Sequence, residues 1–274
     1  MTLYGPLKTA MLRPLAVSFL NALQKHAPLV PIDWALAQDQ HEAYSRVVAE
    51  CVESVVVVPA DEAFPDCCFI EDTALVVGRD VVITRIGAES RRGESEAVSV
   101  AVQELGVAAN GGVMHRLLAP ATLDGGDVLQ MREHVFVGLS ARTNQAAVDQ
   151  LRDCLPERRV SPVRVVDGLH LKSVLSAVSD DVLLAADTEA GRSMAGEVMD
   201  GLGAGARCVF VPDVVAANVL RLGDVLVVQA GFLESERIIR GLAAELGLRV
   251  VTLNMSELVK ADGALTCCSL LFPG

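Results

Sequence analysis

Apolar and polar positions along the chain follow one pattern that recurs five times. In each copy an apolar strand is followed by a short polar turn and a second apolar strand. The copies are TALVVGRDVVITR from Thr73, DVLQMREHVFVGL from Asp127, SVLSAVSDDVLLAA from Ser173, NVLRLGDVLVVQA from Asn218 and GALTCCSLLF from Gly263. Successive starts differ by 54, 46, 45 and 45 residues. A self-similarity of this period predicts a fold built from repeated supersecondary units.

Segments with helical periodicity follow the predicted hairpins. Apolar residues recur there at three- and four-residue spacing, as in ESEAVSVAVQEL (94–105), TNQAAVDQLRDCL (143–155) and SERIIRGLAAEL (235–246). Thr143 and Ser235 are the predicted N-caps, and Gly247 marks a helix end. A further apolar strand follows near residues 163, 207 and 249. The predicted unit is therefore strand–strand–helix–strand.

The fifth hairpin, from Gly263, has no helix or strand after it in the sequence. Helical material within 16–50 and the strand VESVVVVPA (52–59) supply these parts from the other end. Joining both ends completes a fifth unit and closes a ring, which leaves few open sheet edges. Because no Pro/Gly/Ser-rich linker interrupts the pattern, we predict one α/β domain over residues 1–274, with pseudo-fivefold symmetry and helices outside.

Composition narrows the classes of partner and compartment. The formal net charge is −12, which disfavours nucleic acid and anionic membranes and would attract a cationic ligand. No apolar run approaches membrane-spanning length, and we expect no secretory signal. Seven cysteines then indicate free thiols in a reducing cytoplasm. The adjacent pairs Cys67-Cys68 and Cys267-Cys268 do not have zinc-site spacing, so no structural metal is expected.

Chemically reactive side chains occur at one position of the repeat, the loop that enters the first strand of each hairpin. These loops hold Glu71 and Asp72, Asp124, His170, and Cys267 in the last copy. Equivalent loops of a ring meet at one end of its axis, so we expect these residues to converge. A thiol, an imidazole and carboxylates are what a cysteine hydrolase requires. Taken singly, each also fits an ordinary role: a buried thiol, a core histidine, a turn aspartate or a solvated acidic loop.

Six segments carry a family resemblance. They are FPDCCFIEDTALV (64–76), RIGAESRRGE (85–94), LDGGDVL (123–129), VGLSARTNQ (137–145), LHLKS (169–173) and DGALTCCS (262–269). In this order, from Asp33 to Phe272, the chain resembles the dimethylarginine dimethylaminohydrolases of the guanidino-group-modifying superfamily, the penteins. The resemblance implies a five-bladed α/β propeller. It also implies hydrolysis of Nω-methylated arginine, without any cofactor, to citrulline and methylamine or dimethylamine.

The resemblance also implies a role for individual residues. Cys267 would be the nucleophile that forms a covalent thiouronium intermediate, His170 the acid/base and Asp124 the group that orients the imidazole. The remaining positions would bind substrate. The guanidinium would be held by Asp72 and Glu71, the cavity lined by Asp66, the carboxylate bound by Arg91 and Arg142, and the amine met by the carbonyl of Ala261.

Several alternatives remain open at this stage. The family's substrate-covering loop falls within 13–33, which is unusually apolar here, so the choice among dimethyl-, monomethyl- and free arginine is open. An arginine deiminase-type hydrolase would act on free arginine or another guanidino compound. Such enzymes are usually longer chains with an inserted helical module, which this sequence lacks. Amidinotransferases share the covalent intermediate and also tend to be longer. A ribosome-binding pentein like translation initiation factor 6 would keep the repeats without the Cys/His/carboxylate set.

The expected partner is a small-molecule guanidino substrate, and a homodimer is left open.

Overall fold

Fifteen strands in residues 5–274, the part of the chain that the computed structural model describes, form five separate three-stranded sheets. The strands are β1 (Leu7–Leu12), β2 (Val52–Val57), β3 (Ala74–Val77), β4 (Asp80–Ile83), β5 (Met114–Arg116), β6 (Val128–Met131), β7 (His134–Leu139), β8 (Arg159–Arg164), β9 (Leu175–Ser179), β10 (Val182–Ala186), β11 (Arg207–Val211), β12 (Leu220–Leu222), β13 (Val225–Gln229), β14 (Arg249–Leu253) and β15 (Ser269–Pro273). The α-helices are α1 (Trp34–Glu50), α2 (Glu94–Glu104), α3 (Gln145–Cys154), α4 (Glu189–Leu202), α5 (Leu233–Glu245) and the short α6 (Ser256–Val259). Among these helices, none combines the length and apolar character needed to cross a membrane.

Every sheet is built in the same way. In the second repeat, β6 and β7 form an antiparallel hairpin, and β8 returns parallel to β7. Helix α3 makes the crossover, because a parallel return cannot be made by a tight turn. The first, third and fourth repeats use α2, α4 and α5 in the same position. The predicted strand–strand–helix–strand unit and the five-bladed α/β propeller are therefore confirmed.

The fifth sheet joins the two ends of the sequence in the order β15-β1-β2. Strand β15 pairs antiparallel with β1, and β1 pairs parallel with β2. The prediction of a complete hairpin within GALTCCSLLF is wrong, because this segment supplies only β15. Its first half instead forms a 3-10 turn, Thr266–Cys268, and the second strand of the hairpin comes from Leu7–Leu12.

Two of the predicted helix caps are misplaced. Helix α3 is capped by Asn144, whose side chain accepts from the Ala147 amide at 3.1 Å; the hydroxyl of Thr143 instead accepts from the amide of Asp124. Helix α5 begins before Ser235, which lies in its first turn. Gly247 follows the end of α5 with a φ of 67°, as predicted for a helix C-terminus.

The first strands of all five sheets surround a central cavity of about 220 Å³. Each contributes to its wall, with Val76, Gln130, Ala177, Arg221 and Leu271 among the lining residues. The second strands lie farther out and are almost entirely buried, as in β10 and β13. The helices pack outside them. This arrangement leaves the loops that enter the first strands together at one end of the axis.

Candidate active site

Each of the five entry loops contains a short 3-10 turn. These turns are Ile70–Thr73, Gly125–Asp127, Leu171–Ser173, Val215–Ala217 and Thr266–Cys268. The first, second, third and fifth contact one another across the axis. Residues that are up to 195 positions apart in sequence, such as Glu71 and Thr266, therefore come into hydrogen-bond contact.

His170 is held by Asp124 within this cluster. Its Nε2 lies 3.0 Å from Asp124 Oδ2, and Asp124 is completely buried. The other carboxylate oxygen accepts from the amide of Gly87 at 2.7 Å, which fixes the carboxylate. Burial by itself would lower the pKa of His170, but the carboxylates of Asp72 and Asp124 outweigh it and raise that pKa to about 9. The imidazole is therefore a cation at neutral pH.

Asp72 lies beside this histidine and is 4% exposed. Its Oδ1 accepts from the Gly126 amide at 3.0 Å, and its Oδ2 accepts from Arg91 at 2.7 Å. Although burial opposes it, the positive charges of His170 and Arg91 lower the pKa of Asp72. A carboxylate that stays ionised in a buried site is suited to binding a cationic ligand.

Arg91 is engaged by protein carboxylates rather than left open for a ligand. Its Nε and Nη2 donate to the two oxygens of Glu94, both at 2.9 Å, and its Nη2 also donates to the carbonyl of Phe69. Sequence reasoning did not find Glu94, although its position three residues after Arg91 was a signal for such a pair. In this structure the Arg91 guanidinium positions Asp72, and its binding of a substrate carboxylate stays a prediction.

Glu71 points to the opposite side of the turn from Asp72. It accepts from Lys172 Nζ through Oε1 and from Thr266 Oγ1, at 3.1 Å, through Oε2. Burial raises the pKa of Glu71 to about 7, against the opposing charge of Lys172. Sequence reasoning gave no role to Lys172 or to Asn218, which binds both Thr266 and the Lys172 carbonyl. Lys172 was visible in the LHLKS segment, whereas a lone Asn in an apolar loop carries no comparable signal.

The two adjacent cysteines have different environments. Cys267 is half-buried and lies at the wall of two cavities. Cys268 is fully buried in an apolar cluster that includes Cys68. Burial and then the charges of Glu71 and Asp72 raise the pKa of Cys267. Of this pair, Cys267 is the thiol placed to meet a ligand, and it is neutral while the site is free.

The first of these cavities, which we call the entry cavity, measures about 280 Å³. It brings together most of the predicted ligand-binding residues, since its wall includes Asp66, Asp72, Arg91, Arg142 and Ala261 beside His170 and Cys267. The buried Nη1 of Arg142 has no hydrogen-bond partner in residues 5–274. A desolvated guanidinium nitrogen that faces a cavity is suited to binding an anionic group.

The apolar segment 13–33 covers part of the entry cavity. The Leu23 amide donates to both oxygens of Asp66 at 3.1 and 3.2 Å, and the Lys25 amide donates to Asp262 at 2.5 Å. Farther along, Leu29 and Val30 are strongly exposed. The segment is therefore attached through backbone amides to two loops of the site.

Metal binding at this cluster would disrupt existing contacts. Ligand atoms of Asp72, Asp124 and His170 lie within 4.8 Å of one another, the group in the described chain that could hold an ion. However, Asp72 already accepts from Arg91 and Gly126, and His170 donates to Asp124. A metal would have to displace the Arg91 ion pair, so the arrangement suits metal-free acid–base chemistry.

Comparison with known proteins gives consistent relatives. A family model described as arginine deiminase matches residues 32–190. The N(G),N(G)-dimethylarginine dimethylaminohydrolase of Pseudomonas aeruginosa is 35% identical over 244 residues, which cover 88% of this chain and 90% of that protein. The protein of the same name from Streptomyces coelicolor is 34% identical over 268 residues, 97% of either chain. A solved structure of a Pseudomonas aeruginosa enzyme mutant complexed with citrulline aligns with a TM-score of 0.84 at 34% identity, covering 97% of this chain and 99% of that one.

Proposed function

Because the chain belongs to the dimethylarginine dimethylaminohydrolases of the pentein superfamily, we propose that it converts Nω-methylated arginine to citrulline and methylamine or dimethylamine. The family places it among the hydrolases of C–N bonds. The observation that carries the proposal is the position of Cys267, at a cavity wall shared with His170, whose ring is hydrogen-bonded to Asp124. Citrulline bound to a mutant of the Pseudomonas aeruginosa relative supports the product.

Substrate binding follows from the charges of the entry cavity. The guanidinium would lie at Cys267, between Asp72 in the wall of the entry cavity and Glu71 in the wall of the second cavity that Cys267 lines. Charged hydrogen bonds from these two sides would orient its plane. The amino-acid end would extend toward Asp66 and Arg142, with the free Nη1 of Arg142 available to the carboxylate. A cationic head and a carboxylate tail thus each meet a group of opposite charge.

The nucleophile would be activated by the substrate itself. In the free protein, burial and the charges of Glu71 and Asp72 raise the pKa of the Cys267 thiol. A bound guanidinium neutralises these two carboxylates and places a positive charge beside the sulfur, which lowers that pKa. The thiol then releases its proton to solvent, and the thiolate forms where its electrophile is already in position.

His170 would transfer the protons. The thiolate of Cys267 attacks the guanidinium carbon, and His170 donates a proton to the methylated nitrogen as the C–N bond breaks. The amine leaves and a thiouronium remains on the sulfur. The now neutral imidazole deprotonates a water molecule, which adds to the same carbon and breaks the C–S bond to release citrulline. Asp124 holds the imidazole ring throughout. Proton transfer by a positioned side chain of this kind raises the reaction rate by about 10²–10⁴-fold.

Free arginine is the second candidate substrate, because the family model that matches is described as arginine deiminase. Asp72 and Glu71 would bind an unmethylated guanidinium equally well. Citrulline release from dimethylarginine, monomethylarginine and arginine separates the two proposals. We expect both methylated substrates to have the higher kcat/KM, whereas a tenfold advantage for arginine would establish the deiminase reaction instead.

A cytoplasmic location is proposed on the state of the cysteines. All seven are free thiols, and each lies in the described part of the chain. Free thiols persist where the compartment is reducing. Cys267 also has to remain reduced to act as a nucleophile.

A further inference from the structure

A second cavity, of about 210 Å³, adjoins the entry cavity and shares Cys267 and His170 with it. We call it the far cavity. Both of these residues line both cavities, whereas Asp66, Asp72, Arg91 and Arg142 line only the entry cavity. The far cavity is lined mainly by the entry loops of the third, fourth and fifth repeats, together with Glu71 and Gly126 from the first two. The fourth of these loops has no role in the reaction as described so far.

Most of the exposed lining of the far cavity is apolar, although Lys25, Glu71, Lys172 and Asp262 also border it. Glu71 and Lys172 pair with each other, and Asp262 accepts from the Lys25 amide. Leu169, Val214, Val215 and Val259 contribute hydrocarbon to the wall. The polar side chains in this wall are already used within the protein. The amide nitrogen of Gln229 donates to the carbonyl of Val215 at 3.1 Å, and that of Asn218 donates to Lys172 and Thr266. The cavity therefore offers contact to an alkyl group more readily than hydrogen bonds to a polar one.

The direction of the substrate follows from the two cavities. If the proposed function holds, the side chain of the substrate enters past Asp66 and Arg142, and its guanidinium carbon lies at Cys267. The nitrogen that carries the side chain then points back into the entry cavity. The nitrogen that leaves lies on the far side, next to His170, which protonates it. Its substituents extend into the far cavity.

We propose that the far cavity is a leaving-group pocket that accepts amines larger than dimethylamine, so that the substrate class includes arginines with longer Nω-alkyl groups. Dimethylamine has three heavy atoms, which need about 90 Å³ at the roughly 30 Å³ that one water molecule occupies in liquid. The far cavity is more than twice that size. Butylamine, with five heavy atoms, fits the same space. The reaction stays balanced as before: alkylarginine and water give citrulline and the alkylamine.

A substrate series tests this proposal, which rests on the proposed function. Citrulline release is measured with Nω-methyl-, ethyl-, propyl- and butylarginine. We expect the kcat/KM of the butyl compound to stay within tenfold of that of the methyl compound, and a larger fall overturns the leaving-group pocket. Failure of every compound, methylarginine included, would instead overturn the proposed function. Release from methylarginine alone leaves that function intact and removes only the present inference.

Filling the cavity gives a second test. Val214 is 41% exposed, so Val214→Phe can add volume without disturbing the core. We expect the butyl-to-methyl ratio of kcat/KM to fall at least tenfold in this variant. Val100→Phe is the matched control, because Val100 is 55% exposed on α2 and lines neither cavity; it should keep the wild-type ratio. An unchanged ratio in Val214→Phe would show that the alkyl group does not occupy this space.

Discussion

Gly126 packs directly against the ring of His170. A Cβ added at position 126 would lie 2.5 Å from Nδ1 of the imidazole, and the amide of the same residue donates to Asp72 at 3.0 Å. One glycine thus sets the distance between the acid/base and the carboxylate proposed to bind the guanidinium. No residue with a side chain can occupy this position unless the ring moves.

Gly126→Ala should therefore lower kcat by about 10²–10⁴-fold, the range expected when general acid–base catalysis is lost. The displaced ring no longer reaches the leaving nitrogen, whereas the fold is retained. Gly196→Ala, in α4, is the control because its added Cβ meets nothing within 4 Å. Steady-state kinetics with methylarginine measure both variants. Wild-type kcat in Gly126→Ala would show that this contact does not position the histidine.

Cys267→Ser should abolish turnover while binding methylarginine with an affinity within a few fold of wild type. The guanidinium is held by carboxylates, and the sulfur acts mainly in the transition state. Isothermal titration calorimetry and citrulline release measure the two properties. Cys268→Ala, at the buried neighbour, should keep most of the activity. Full activity in Cys267→Ser, or a substrate adduct that maps to another cysteine by mass spectrometry, would end the assignment.

The stability of the protein should depend on the charge of His170. Its folded pKa of about 9 lies above the ordinary value of 6.5, so the contribution to stability is complete below pH 6.5 and is lost as the pH rises through 9. A shift of this size corresponds to about 3 kcal/mol. Urea unfolding of wild type and His170→Asn at pH 6 and pH 10 measures it. The advantage of wild type should shrink toward pH 10, and a constant difference would contradict the raised pKa.

Arg142→Ala should raise KM for methylarginine and lower kcat/KM by about 10–100-fold, as expected for a lost charge-assisted hydrogen bond. Methylagmatine, which lacks the carboxylate, provides the internal comparison and should be affected much less. Arg237→Ala, at an exposed position on α5, should leave both substrates unchanged. Equal losses on both substrates would mean that Arg142 does not bind the carboxylate.

The fold could be predicted because each repeat must bury the same faces, which imposes the same pattern of apolar residues five times. What the pattern did not give is how the fifth repeat is divided between the ends of the chain. The segment from Gly263 contains enough apolar residues for two short strands, yet Cys267 lies in a turn. Only the pairing of Leu7–Leu12 with Ser269–Pro273 shows which segment supplies the second strand.

The site was predictable to the extent that its reactive side chains occur at the same position of each repeat, in the loop that enters the first strand. His170, Asp124 and Cys267 have that property, and the structure brings them to one end of the axis. The Arg91–Glu94 pair was not predictable in this way, because its three-residue spacing is explained equally well by an acidic first turn of α2. The loop around Val214 contains no cysteine or histidine, and its Asp213 accepts from Ser235 of α5. Its position beside the site therefore became visible only in three dimensions.

The pairing of β1 with β15 also holds the Cys267 thiol in position. The turn that carries Cys267 runs directly into β15, and β15 is held by a strand from the opposite end of the sequence. The pairing of β1 with β15 therefore closes the propeller. Its separation would open the circle of five sheets and release the turn that carries Cys267. We expect contacts between such distant segments to form late in folding, because loop-closure entropy opposes them. Partial separation of β1 from β15 would thus inactivate the enzyme while four of the five blades keep their secondary structure.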